Sequence, residues 1–125
     1  MILIKAVVAG SRGFSDYELL KKTLNESFVK YNPSEVEIVS GGADGGDKLG
    51  EKYQEEYGCA LKQFIPDWDR FGDSAGHRRN VDMAHYTDWV FCFWDGKSKG
   101  TKGMIDVSRR LGKRVEVIMY EEELM

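Results

Sequence analysis

The chain has 125 residues, the length of one compact domain. At 42% hydrophobic and 31% charged, with two prolines, its composition supports a core, and no stretch approaches the ~18 apolar residues of a membrane helix. Eighteen Lys and Arg against 21 Asp and Glu leave a formal charge of −3, which disfavours indiscriminate binding to a nucleic-acid backbone.

Met1-Ile2-Leu3-Ile4-Lys5 runs straight into a strand-like segment and lacks the layout of a signal peptide. Leu3 to Ala9 reads as a first strand stopped by Gly10-Ser11-Arg12-Gly13. Ser15-Asp16-Tyr17-Glu18 forms a capping-box pattern, and Tyr17, Leu20, Leu24, Phe28 and Tyr31 recur at helical spacing up to Asn32-Pro33. Val36 to Val39 is a second strand, halted by Gly41-Gly42. A second helix runs from Asp44 to Gly58, with Gly46 and Gly50 near its inward stripe so that it can sit close to a sheet. Cys59 to Ile65 reads as a third strand closed by Pro66, followed by a long connection over Asp67 to Asp73 and a helix capped by Ser74 that reaches about His85.

Trp89 to Trp94 is apolar at every position, the signature of a strand buried on both faces. Thr101 to Leu111 is a fourth helix stopped by Gly112, Arg114 to Tyr120 a last strand, and Glu121-Glu122-Glu123 an exposed tail. The alternation predicts a Rossmann-like open parallel sheet of about five strands with helices on both faces, forming a single domain over 1–125. Cys59 and Cys92 fall inside predicted strands and form no CxxC pair, so no disulfide framework is expected, and a reducing cytoplasm is the expected compartment.

Glycine carries the functional signal. Eleven of the fourteen fall into four clusters, at 10 and 13, at 41, 42, 45 and 46, at 72 and 76, and at 96, 100 and 103. In a sheet of this kind ligands sit beyond the carboxyl ends of the strands, where the strand order switches. Three clusters fall there, each before a predicted helix start whose free N–H groups favour an anion. Any one cluster is equally well explained as a tight turn; three at one edge point to a phosphate-binding site.

Ser11 and Arg12 follow the first strand, and Arg12 has the fork geometry for phosphate. Ser40-Gly41-Gly42-Ala43-Asp44-Gly45-Gly46-Asp47 matches neither GxGxxG nor GxxxxGK[ST], so no nicotinamide or ATP-hydrolysis fingerprint is present. Asp44 reads first as a helix cap. Arg78 and Arg79 stand near a helix start, where positive charge opposes the macrodipole, and so suggest a functional pair. Trp68, in a polar connection, offers a ring either to stack on a base or to cover the crevice. Trp94-Asp95-Gly96 and Ser98 to Gly100-Thr101 offer hydroxyls, lysines and glycines for phosphate or ribose. His77 and His85 are eight apart with no third ligand in view, so no metal is expected, and no cofactor is implied.

Together Gly10-Ser11-Arg12, Ser40-Gly41-Gly42-Ala43-Asp44, Pro66-Asp67-Trp68, Ala75-Gly76-His77-Arg78-Arg79-Asn80 and the segment from Trp94 to Thr101 resemble the single-domain YspA-like branch of the SLOG superfamily, from Val7 to about Val117. That superfamily includes the DNA-processing protein A and the "lonely guy" phosphoribohydrolases. The resemblance implies a Rossmannoid fold and a nucleotide-derived ligand such as a nucleoside monophosphate, ADP-ribose or a cyclic nucleotide. Set against the phosphoribohydrolases, Arg79 takes the place of the substrate-handling arginine, Asn80 replaces a lysine, and Asp88 matches the aspartate that opens the next strand. Gly100-Thr101 ends the counterpart of their phosphate loop. Their glutamate two or three residues later is replaced by Gly103 and Met104, and the first carboxylate after Thr101 is Asp106.

The expected function is therefore a binding module for a nucleotide-derived molecule, held by the residues named from Gly10 to Thr101. The alternative is a nucleoside 5′-monophosphate N-glycosidase with Arg79 orienting substrate and Asp95 or Asp47 as acid–base. A third reading, single-stranded nucleic-acid binding, would use Arg12, Arg78, Arg79, Lys97, Lys99 and Lys102 with Trp68 stacking. No membrane partner is expected; a homodimer is implied by the resemblance alone.

Overall fold

The computed structural model describes residues 1–121. Five parallel strands form one sheet: β1 (Ile4–Gly10), β2 (Val36–Ser40), β3 (Ala60–Gln63), β4 (Trp89–Trp94) and β5 (Arg114–Met119), in the spatial order β3-β2-β1-β4-β5. The chain winds outward from β1 to β3, returns to pair β4 with the other side of β1, and finishes at β5. The order therefore switches between β1 and β4, where Gly10 pairs with Phe93 at the carboxyl ends. The Rossmann-like open sheet expected from the alternation is the fold observed.

The helices are α1 (Tyr17–Ser27), α2 (Gly46–Tyr57), α3 (Trp68–Phe71), α4 (Ala75–Tyr86) and α5 (Lys99–Arg110). Alternate residues of the central strands face opposite layers. Ala6, Val8, Phe91 and Phe93 pack with Leu20 and Leu24 of α1, with Phe28 just after it and with Tyr53 of α2. Val7, Ala9, Val90 and Cys92 pack with Met83 and Ala84 of α4 and with Met104 and Ile105 of α5. Residues Trp89 to Phe93 of β4 are all buried, as a strand covered on both faces requires.

Several boundaries differ from those read in the sequence. Asp16, not Ser15, caps α1, its carboxylate accepting the Leu19 N–H at 3.1 Å, and the helix ends at Ser27, well before Pro33. Helix α2 begins at Gly46 with Gly45 as its cap, so Asp44 is no helix cap. Gly45 has φ +80°, a conformation side-chain-bearing residues rarely adopt. Strand β3 covers only Ala60–Gln63, which leaves Cys59 just outside it; both cysteines are buried free thiols. The long connection after Pro66 contains α3, capped by the Asp67 carboxylate, and then a short 3-10 turn over Gly72–Ser74. Ser74 makes no capping bond to α4. Ser98 caps α5, two residues earlier than expected. Of the expected acidic tail, Glu121 is exposed and Glu122 and Glu123 lie outside the described residues.

At the switch point α2 meets β1 backbone to backbone. A Cβ on Gly46 would lie 2.5 Å from the Gly10 Cα and 2.6 Å from its nitrogen. Only glycine permits that approach, and it brings the start of α2 down onto the end of β1.

Candidate functional site

The turns after β1, β2 and β4 gather at one rim, around a cavity of about 660 Å³ whose walls include Arg12, Gly41, Asp44, Trp68, Arg79 and Lys99. Behind it lies a recess of about 120 Å³, bounded by Gly10, Asp47, Asn80, Ser98, Thr101 and the apolar Met83 and Met104. Arg12, Ala43, Arg79, Asn80 and Gly100 line both spaces and so mark the passage between them.

Arg79 is the centre of the arrangement. From the first turns of α4 its Nη1 donates to the Gly41 carbonyl at 2.6 Å and its Nε to Asn80 Oδ1 at 2.9 Å. Asn80 in turn donates through Nδ2 to the Gly100 carbonyl at 3.3 Å, which ties α4 to the first turn of α5. The guanidinium is thus half-buried and fixed before any ligand arrives, a preorganised donor. Burial lowers its pKa, and the Asp47 carboxylate works in the opposite direction.

Asp47 stands opposite, in the first turn of α2 and only 5% exposed. Its Oδ2 accepts the Ala43 N–H at 3.2 Å. Burial pushes its pKa up to about 6, although the Ala43 N–H, Arg79 and the Gly10 N–H each stabilise the charged form. The two groups converge over Gly41, where a Cβ would be 2.5 Å from Arg79 Nη1 and 2.9 Å from Asp47 Oδ2. Glycine at 41 is what lets carboxylate and guanidinium share that wall.

At the outer rim Trp68 is 54% exposed. Its ring edge lies near Gly76, where a Cβ would be 3.5 Å away, so the start of α4 leaves room for the indole. Ile65, also exposed, and Pro66 extend this apolar wall. At the far side Lys99 and Gly100 open α5. The Ser98 hydroxyl caps the helix through Thr101 N, and the Lys102 N–H bonds the Ser98 carbonyl. The N–H groups of Lys99 and Gly100 therefore stand at the helix start, where the macrodipole favours an anion.

Of the residues singled out in the sequence, Gly10, Arg12, Gly41, Gly42, Ala43, Asp44, Asp47, Trp68, Arg79, Asn80, Ser98, Gly100 and Thr101 line one or both spaces. Others do not. Arg78 lies one helical step from Arg79, over the Phe71 ring at 4.3 Å, with Nε on the Ser74 hydroxyl. Ser11 is buried and accepts the Asp95 N–H at 3.3 Å, joining the β1 and β4 turns from behind. Ser40 donates to Glu51 at 2.7 Å and accepts the Gly42 N–H, so it shapes its loop from within.

Trp94 donates its indole N–H to the Ser98 carbonyl, and Gly96 turns the chain at φ +81°. Asp95 accepts the N–H groups of Lys97 and Ser98, both at 2.8 Å, and these bonds hold its pKa below the ordinary value. It serves the loop rather than the cavity. Asp88 accepts the Lys5 N–H at the amino ends of the strands, and Asp106 pairs with Lys102. Among the described residues no group of His, Cys, Asp or Glu could hold a metal ion, and no helix is long and apolar enough to cross a membrane.

Ile65, Pro66, Gly76, His77 and Gly103 line the outer cavity without having been singled out as ligand contacts, and Lys99, named only for the nucleic-acid reading, lines it too. Helical spacing carries part of that signal: Gly76 is three residues before Arg79, and Gly103 three after Gly100, so each shares a face with a residue already suspected.

Comparison with known proteins agrees with this architecture. The family model described as "YspA, cpYpsA-related SLOG family" matches residues 4–71, more than half of the chain. The chain belongs to that SLOG family. Among solved structures it resembles the DNA processing protein A, DprA, of Streptococcus pneumoniae, with TM-score 0.69 and 20% identity. The match covers 96% of this chain and 51% of DprA, so this SLOG chain spans about half of that protein's length. It also resembles a structural genomics target, TM1055, with TM-score 0.65 and 21% identity over 90% of this chain and 72% of the other. At these identities the likeness concerns the fold. Among curated proteins nothing matches.

Proposed function

We propose that this SLOG protein binds a nucleotide-derived small molecule, a nucleoside monophosphate, ADP-ribose or a cyclic nucleotide, as a cytoplasmic sensing, carrying or sequestering module. The observation that carries the reading is the preorganised Arg79, locked by Gly41 and Asn80 at the mouth shared by two cavities. Arg12, Lys99 and the start of α5 favour phosphate nearby, and Trp68 with Ile65 and Pro66 offers a flat apolar wall to a base. Binding without turnover is favoured over glycosidic hydrolysis because Gly103 and Met104 stand where the phosphoribohydrolases carry their glutamate and Asp95 is occupied by its own loop. That leaves the hydrolase reading to Asp47, since general acid–base work needs a carboxylate within reach of the scissile bond. A nucleic-acid groove is less well supported: Arg78 and Lys102 are engaged by Phe71 and Asp106, and Arg79 is recessed.

Isothermal titration and thermal-shift measurements with 5′-AMP, ADP-ribose, NAD and cyclic nucleotides test the proposal. Saturable binding of at least one is expected. A flat response across the panel by folded protein refutes it, and release of free base from any of them establishes the hydrolase instead.

A further inference from the structure

We propose that Asp47 is a specificity-determining residue, and that the part of the ligand seated in the inner recess is hydroxyl-bearing and uncharged, a pentose ring held between the Asp47 carboxylate and the Arg79 guanidinium. This rests on the nucleotide-binding reading above and adds where the ligand's sugar goes.

The recess of about 120 Å³ is several times the roughly 10–15 Å³ that a single water needs, room for a group the size of a furanose ring. Its lining is mixed: a carboxylate, a guanidinium, the Thr101 hydroxyl, and Met83 and Met104 as an apolar floor. An ionised phosphate pressed against Asp47 would meet a like charge where little water screens it. A sugar hydroxyl has complementary needs, since it donates to a carboxylate and accepts from a guanidinium. Both partners have capacity left. Asp47 Oδ2 accepts from Ala43, and a carboxylate offers about four acceptor sites; two of the roughly five Arg79 N–H groups are tied to Gly41 and Asn80.

The surrounding charges agree with this polarity. Arg12 at the passage and Lys99 in the outer cavity offer the anionic part of the ligand two cations on the outer side of Arg79, where Asp44 is the acidic residue of the wall. Glu51, on the same helix as Asp47, is turned to the Ser40 hydroxyl and to Lys48. From β4 the neighbouring group is the buried Cys92 thiol, whose pKa burial pushes up to about 12.

Titration of the full chain with 5′-AMP and with 2′,3′-dideoxy-5′-AMP, with inorganic sulfate as a bare anion, tests the inference. The wild type is expected to bind 5′-AMP at least about fivefold more tightly than the dideoxy analogue, because losing the hydroxyls leaves a buried charge without its donor. Asp47→Asn narrows that ratio and tightens sulfate binding, since the repelling charge is gone. The comparison of ligands on the wild type stands whether or not the variant folds. A smaller ratio, or no binding of 5′-AMP by a protein that binds ADP-ribose, NAD or a cyclic nucleotide, overturns the placement of the sugar and leaves nucleotide binding intact, whereas a flat response across all of them overturns both readings.

Discussion

Alanine at Gly46 and alanine at Gly103 are the same chemical change in two helices, and the structure assigns them opposite signs. At Gly46 the new Cβ meets the Gly10 Cα at 2.5 Å, the Gly10 nitrogen at 2.6 Å and the Ala9 carbonyl carbon at 3.0 Å. All three are backbone of β1, so nothing can rotate aside and α2 must retreat from the sheet. Overpacking of this kind costs ~1–3 kcal/mol. The ~1 kcal/mol that alanine gains over glycine inside a helix offsets only part of it, because Gly46 is the first helical residue. The expected net loss is about 1–2 kcal/mol, or a fall in Tm of roughly 4–8 °C. At Gly103, in the middle of α5, a Cβ meets nothing within 4 Å. There the helix gain stands alone, about 0.5–1 kcal/mol of added stability. Thermal and urea unfolding followed by circular dichroism measure both. Gly46→Ala at or above wild-type stability would refute the backbone contact between α2 and β1.

Asp47 has a folded-state pKa of about 6 against an ordinary 3.8, so the folded chain holds its proton more tightly than the unfolded one. Its contribution to stability is full below about pH 4 and is lost as pH rises through 6, a difference on the order of 3 kcal/mol at neutral pH. Asp47→Asn should therefore gain on the wild type between pH 4 and 7 in urea midpoints; a gap that does not change with pH contradicts the burial of the charge. Arg79→Lys cannot reach Gly41 and Asn80 in the same planar fork, so nucleotide affinity should drop about tenfold or more, and unchanged titration isotherms would remove Arg79 from the site. Trp68→Ala should weaken nucleotide binding roughly tenfold through lost stacking, with Trp68→Phe keeping most of the affinity while any ligand-induced fluorescence change disappears. Equal affinity of Trp68→Ala and wild type would exclude the indole as a base platform.

The sheet and its switch point were legible because they depend on local pattern: an unbroken apolar run such as Trp89 to Trp94 and a glycine cluster after β1, β2 and β4 need no partner to be recognised. Caps were less so. Ser15 and Asp16 are adjacent and both suited to capping, and only the folded backbone shows that the Asp16 carboxylate is the one that accepts the Leu19 N–H. The two arginines illustrate the same boundary within the site. Arg78 and Arg79 differ by one helical step, about 100°, and only the packing of α4 decides which meets Gly41 and which meets Phe71. Asp95 looked like an available carboxylate because sequence does not display the two N–H groups it accepts. His77 reaches the cavity wall only once α4 is packed beside α5 on the sheet, a placement no periodicity encodes.

The touching backbones of Gly10 and Gly46 have a bearing on how the ligand preference of this fold can be retuned. Neither position has space for a side chain, so the contact between α2 and β1 beneath the cleft is closed to chemical variation. Changes of taste are easiest at the rim, where Trp68 and Ile65 are exposed, Gly100 and Gly103 face open volume, and a Cβ at Gly76 makes only ordinary contact with Trp68. A library built at those five positions would alter what is captured while leaving the scaffold's foundation untouched.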